Sequence, residues 1–234
     1  MRQISALFAV LLISGSLAKA NLPPATRPVK KAHAPVIVRI TNRLYRVGTA
    51  MVDTSLHRVT VNGSLNMASG SVEYLAVTPR GKTYESVLRL FVQPLYLQVA
   101  LYLAGMHAKN VISYQGQRKT PMGDPMVISV QWNDTLGHQH VVRAEELLKL
   151  EPGNRVMPHH AWVFTGSRVT TDGYLADLTG SIVAVWHDPT ALIDNPLPTG
   201  SDDGWVVNSH VAPPQGTPVT VYFQAISKKG TTAR

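Results

Sequence analysis

The chain contains no cysteine in 234 residues. That excludes disulfides, a thiolate nucleophile, cysteine-ligated zinc and a cysteine-held iron–sulfur cluster. It also excludes a lipid anchor attached through a thiol. Long apolar runs are missing too. Ile4 to Leu17 is apolar apart from Ser5, Ser14, Gly15 and Ser16, which falls short of the ~20 residues needed to cross a bilayer core. Signatures of catalysis are equally scarce. There is no G-x-S-x-G elbow and no H-E-x-x-H, and the one S-x-x-K, Ser16 to Lys19, lies near the N-terminus. Gly81-Lys82-Thr83 resembles the end of a phosphate-binding loop, yet the position five before Gly81 is Ala76 rather than glycine. Leu197-Pro198-Thr199-Gly200 lacks one residue of the wall-anchoring L-P-x-T-G pattern.

The net charge of +8 does not describe the body of the chain. Arg2, Lys19, Arg27, Lys30, Lys31, Lys228, Lys229 and Arg234 account for all of it, so 35–227 is formally neutral. A surface that tracks phosphates needs clustered positive charge, and nucleic-acid binding is therefore not expected.

What is present begins with export. A positive start (Met1, Arg2), the short apolar run, and small residues at Ala18 and Ala20 form a cleavable secretory signal peptide over 1–20, cut between Ala20 and Asn21. The mature chain is then expected to be soluble, periplasmic or extracellular, without an integral membrane segment. Residues 21–34 hold three prolines and three cations and read as a flexible leader; 227–234 reads as a disordered basic tail. Between them, 35–226 shows no repeat and is taken as a single domain.

Most of that body alternates in the manner of strands: 36–40, 50–52, 56–61, 72–77, 126–132, 138–142, 162–164, 181–187, 204–207 and 219–226. Asn62-Gly63 reads as a hairpin turn because both residues tolerate positive φ, and 133–137 as a second connector. Pro94 opens, and Gly105 closes, an almost wholly apolar stretch that predicts a buried helix. A shorter amphipathic turn is expected over 143–150. The fold class expected is α+β, mostly antiparallel β with one buried central helix at about 94–104.

Several motifs in order carry a resemblance. Val72-Glu73-Tyr74-Leu75, Gly81-Lys82-Thr83-Tyr84-Glu85-Ser86-Val87-Leu88, the helix from Pro94, Trp162-Val163-Phe164-Thr165-Gly166-Ser167, Asp188-Pro189-Thr190-Ala191 and Pro214-Gln215-Gly216-Thr217-Pro218 are together similar to the YdjY domain family, over roughly 45–226. The resemblance implies an exported bacterial domain with no established activity. Some members are described as iron–sulfur or ferredoxin-like, from which this cysteine-free chain departs. Relatives are expected to carry histidine where Tyr84 stands.

Candidate sites are few. Lys82 and Glu85, three apart in a loop, suit a polar ligand or acid–base chemistry, or simply hold one another. Asp188, Asn195 and Asp203 lie in oxygen-rich loops that would suit a hard cation or cap turns, and Glu85 is expected to be partly buried, facing a polar group of 188–195 or 202–208. His138 and His140 share a strand face as weak metal candidates, against the plainer reading of a solvated face. Trp132, Trp162, Trp186 and Trp205 would serve a carbohydrate platform or, more commonly, the core. No cofactor is expected. The expected function is an exported non-catalytic binding or structural domain, its partner an envelope protein or cell-wall component. The alternative is an enzyme or metal-binding protein of unrecognised type using Lys82, Glu85 and the loops from Asp188 to Asp203.

Overall fold

A computed structural model describes residues 35–197 and 204–226. The signal peptide, leader and basic tail expected from the sequence, together with candidate Asp203, lie outside them. The strands, in chain order, are β1 (Ile37–Arg39), β2 (Leu44–Val47), β3 (Ala50–Asp53), β4 (Arg58–Leu65), β5 (Tyr74–Val77), β6 (Ser86–Leu90), β7 (Ala108–Lys109), β8 (Met122–Asn133), β9 (Gln139–Arg143), β10 (Leu148–Leu150), β11 (Arg155–Val156), β12 (Trp162–Phe164), β13 (Val169–Thr170), β14 (Gly173–Tyr174), β15 (Ser181–Ala184), β16 (Ile193–Asp194), β17 (Trp205–Val207) and β18 (Pro218–Ala225). Helix α1 (Pro94–Leu103) follows β6, and the short α2 (Leu175–Thr179) follows β14.

Eight strands close into a barrel in the order β4-β18-β8-β12-β16-β15-β5-β6, with β6 returning to β4. Most pairings are antiparallel, as the sequence pattern implies, but β5–β6 and β15–β16 run parallel. Closure itself is not visible in the pattern, and its seam overturns one expectation. Asn62-Gly63 is not a turn: it lies inside β4. One edge of β4 runs along β18 from Arg58 to Ser64. Its other edge is divided, pairing β3 through Arg58 and Thr60 and β6 through Gly63 to Leu65. A Cβ at Gly63 would stand 2.5 Å from the carbonyl oxygen of Arg89 on β6. Glycine inside a strand thus marks a close backbone approach. The other connector, 133–137, does form a hairpin, with β9 folding back on β8 in the register Asn133↔Gln139.

Burial follows the two halves of the barrel. On β4, β18 and β8 alternate residues are buried, as with Val219, Val221 and Phe223 or Met126, Ile128 and Val130, while the intervening side chains face outward. On β5, β12, β15 and β16 every residue is buried. Strands covered on both faces read as continuous apolar runs, which explains Tyr74-Leu75-Ala76-Val77 and Ser181-Ile182-Val183-Ala184.

Helix α1 is covered on most sides, as its apolar composition predicts. Leu97, Ala100 and Leu101 are fully buried in the same core as the barrel strands, but Tyr102 is 45% exposed and Val99 only partly buried. Leu95, Tyr96, Val99 and Leu103 pack partly buried against that core, which leaves Tyr102 as the exposed side chain of the helix. The amphipathic turn expected over 143–150 is a 3-10 turn at Ala144–Leu147 leading into β10. Among the described residues no helix is long and apolar enough to cross a membrane.

Candidate functional site

The two parallel strand pairs each need a crossover, and these crossovers carry the candidate residues. The first joins β5 to β6 through 78–85; the second joins β15 to β16 through 185–192. The first begins where its backbone packs closely on Gly180, just ahead of β15. A Cβ at Gly81 would meet the carbonyl oxygen of Gly180 at 2.9 Å, and the N–H of Thr78 donates to that same oxygen at 2.8 Å. Gly81 is therefore a packing requirement, not part of a phosphate cradle.

Beyond Gly81 the chain turns through a 3-10 segment, Thr83–Glu85, held when Ser86 donates its hydroxyl to the carbonyl of Lys82 at 2.7 Å. Asn66 donates its side-chain amide to the Ser86 carbonyl at 2.8 Å. The Lys82 ammonium then lies between two carboxylates, 2.8 Å from Glu85 Oε1 and 3.1 Å from Glu73 Oε2, and 5.4 Å above the ring centre of Tyr74. Gln115 donates to Glu73 Oε2 at 2.9 Å. Burial pushes the Glu73 carboxyl above its ordinary range, opposed by the Lys82 hydrogen bond and reinforced by the charge of Glu85. For Lys82 burial acts downward, but the hydrogen bonds to Glu85 and Glu73 outweigh it and raise the ammonium overall.

Tyr74 links this group to the second crossover. Its hydroxyl donates to Asp188 Oδ2 at 2.8 Å, and burial together with the Asp188 charge raises the phenol strongly. Thr190 donates its backbone N–H to Asp188 Oδ1 at 2.8 Å, and its hydroxyl lies 2.8 Å from each carboxylate oxygen. Deeper still, His187 Nδ1 lies 2.8 Å from Asp194 Oδ1, both side chains being 1% exposed. Burial raises the Asp194 carboxyl, with the His187 hydrogen bond opposing it. Among the described residues, His187 Nε2 and Asp194 Oδ2 have no partner.

The residues singled out from sequence are thus distributed as follows. Lys82 and Glu85 touch; Glu85 is 18% exposed and faces Lys82, not a late loop directly. Asp188 joins them only through Tyr74. Asn195 is fully buried and turned inward, donating to the Val185 carbonyl at 2.8 Å and accepting the Leu197 N–H at 2.9 Å, so its amide serves the backbone. His138 and His140 are exposed, both within 3.2 Å of Asp134 Oδ2, and His140 stacks on Trp132. Their hydrogen bonds hold Asp134 well below the usual carboxylate range, at about 2, with His140 contributing most. The described residues contain no group of three or more His, Cys, Asp or Glu side chains able to hold a metal. Trp162, Trp205 and Trp132 are buried, which removes them as a common platform.

Three clefts among the described residues lie elsewhere. One of about 480 Å³ is lined by Asn62, Phe91, Gln131, Trp132, Asn133 and Thr220, with Gly63, Pro218 and Val219. A second, about 610 Å³, continues on the other side of Phe91 past Thr49, Arg80, Gln93, Tyr96 and Asp177. A third, about 250 Å³, lies between His57, Met106, His107 and Asp124. None of the three is lined by Lys82, Glu85, Asp188 or Asn195. Sequence reasoning misses Asn62, Phe91, Gln131 and Thr220, because they come from four separate segments. It also passes over Glu73, although a lone acid ahead of a four-residue buried strand is a signal that could have found it.

Comparison with curated proteins and with solved structures gives no match. The YdjY domain model, by contrast, matches residues 50–224, the whole of the barrel apart from the end of β18 and most of what surrounds it. The chain belongs to the YdjY domain family.

Proposed function

We propose that this protein is an exported, non-catalytic binding domain of the cell envelope. Acid–base or nucleophilic chemistry needs a titratable group free to meet a substrate in a cavity. Here the candidate groups answer one another: Lys82 lies between Glu73 and Glu85, and Asp188 accepts from Tyr74 and Thr190. The observation that carries the reading is the cleft beside Phe91, whose lining offers amides, a hydroxyl and aromatic rings but no titratable side chain. Such a surface recognises a ligand and has nothing with which to transform it.

Export follows from the N-terminal pattern, and N-terminal sequencing of the mature protein is expected to begin at Asn21. Binding is tested by sedimenting the purified mature chain with envelope and cell-wall fractions, then recovering the bound material for mass analysis. Retention with the material chemically unchanged is expected; a shortened or modified product overturns the non-catalytic reading. The acid–base alternative draws on the raised Glu73 carboxyl beside Lys82 and Glu85. It requires that such a product disappear in Glu85→Gln.

A further inference from the structure

We infer that the cleft beside Phe91 is a binding site for a neutral oligosaccharide, with the Phe91 ring as its stacking surface and the amides of Asn62 and Gln131 as its donors. This rests on the binding reading above and names the ligand class for it.

The site is built on the outward face of three paired strands. Thr220 on β18 stands opposite Asn62 on β4 and opposite Gln131 on β8, so the three side chains form one row across the sheet. Neighbouring strands are about 4.8 Å apart, which gives the row a span of roughly 10 Å. Both amides are held by hydroxyls of the same face. The Thr220 hydroxyl lies 3.3 Å from Asn62 Oδ1, and the Tyr222 hydroxyl donates to Gln131 Oε1 at 2.8 Å. With the oxygens so engaged, neither NH₂ group donates to another group among the described residues, which leaves both available to a ligand. Donors arranged before the ligand arrives lower the ordering cost of binding.

Phe91 supplies the second element. The residue is 46% exposed and lines both clefts. Its backbone is pinned, the N–H donating to the Asn62 carbonyl at 2.9 Å and the carbonyl accepting the Thr49 hydroxyl at 2.6 Å. A rigid backbone therefore holds this exposed ring between two concave surfaces.

Chemistry decides among ligand classes. The nine residues around the first cleft include no Lys, Arg, His, Asp or Glu. A charged ligand would lose solvation there without gaining a partner. A lipid chain would leave the amide NH₂ groups unsatisfied. An extended peptide adds at a sheet edge, and here the backbones of β4, β18 and β8 are already paired with one another. A pyranose answers both features, because its C–H face packs on an aromatic ring while its hydroxyl and ring oxygens accept from amides.

The test is a calorimetric titration of the mature chain with a panel of defined neutral, uronic-acid and sulfated oligosaccharides. Wild type, Phe91→Ala, Gln131→Ala and the remote surface variant Val169→Ser are compared, with thermal melts to show that each is folded. A neutral oligosaccharide is expected to bind, Val169→Ser to match wild type, and Phe91→Ala to weaken binding about tenfold or more, as expected for an anchoring aromatic. Preference for charged sugars, or unchanged affinity in both Phe91→Ala and Gln131→Ala, overturns the inference and leaves the binding reading standing. So does retention on envelope material without affinity for any member of the panel. Failure to bind either the panel or the envelope fractions removes both.

Discussion

Gly63→Ala puts the smallest possible perturbation at the barrel seam. The new methyl carbon would lie 2.5 Å from the Arg89 carbonyl oxygen and 2.7 Å from Leu90 Cδ2. The leucine methyl can rotate away; the carbonyl belongs to β6 and moves only if the seam opens. Filling a packed site with one extra carbon costs about 1–3 kcal/mol. Losing or stretching one seam hydrogen bond adds about 1 kcal/mol, so the expected loss is about 2–4 kcal/mol. For a domain of this size that corresponds to a fall in Tm of about 5–15 °C. Urea denaturation and a thermal scan measure it. Hydrogen exchange locates it, because the Phe91 N–H, bonded to the Asn62 carbonyl just beyond the seam, should exchange faster. A stability change below about 0.5 kcal/mol, within the range of ordinary surface substitutions, with Phe91 exchange unaltered, would refute the argument that β4 and β6 meet there.

Three further outcomes are expected. Leu101→Ala removes a fully buried side chain from α1 and should cost about 2–5 kcal/mol in urea unfolding; a loss below about 1 kcal/mol would place that helix face outside the core. Glu145 is completely buried, ion-paired to Arg143 and accepting the His160 N–H at 3.1 Å. Glu145→Ala should destabilise by about 1–3 kcal/mol because it removes the buried acceptor of the part-exposed Arg143 guanidinium and of the His160 N–H, and a near-neutral urea curve would contradict this. The raised Glu73 carboxyl holds its proton more readily in the folded state than in the unfolded one. Its contribution to stability is therefore present below the ordinary carboxylate range and is lost as pH rises through the raised folded value. The stability difference between wild type and Glu73→Gln should shift against wild type as pH increases through that window, and a shift in wild type's favour would reverse the assignment.

Local features of the fold are legible in the sequence, and non-local ones are not. The 133–137 connector is readable because its turn residues act within a few positions, and the start of α1 because Pro94 suits a first turn. Asn62-Gly63 carries the same local signal as a hairpin, yet its glycine answers to Arg89, a residue from another strand. Closure of the barrel has no local signature at all, since it depends on β4 dividing one edge between β3 and β6. The exposure of Tyr102 escapes for a related reason: α1 is apolar all round, and its neighbours decide which side chain stays open. In the candidate site, Lys82 and Glu85 are recognisable three positions apart. Tyr74 and Asp188 are 114 positions apart and become partners only when β5 and β15 pair. Asn62, Phe91, Gln131 and Thr220 look unremarkable one by one, and the barrel alone makes a cleft of them.

The central claim, that this domain binds a ligand at the Phe91 cleft, is tested most directly by nuclear magnetic resonance during titration with a neutral oligosaccharide. The side-chain NH₂ resonances of Asn62 and Gln131 and the ring resonances of Phe91 are predicted to shift together, saturably, while the Gln115 side-chain amide beside Glu73 stays in place. Shifts at Gln115 and along 82–85, with Asn62, Gln131 and Phe91 unmoved, would contradict the account and move the binding site to the crossover loops.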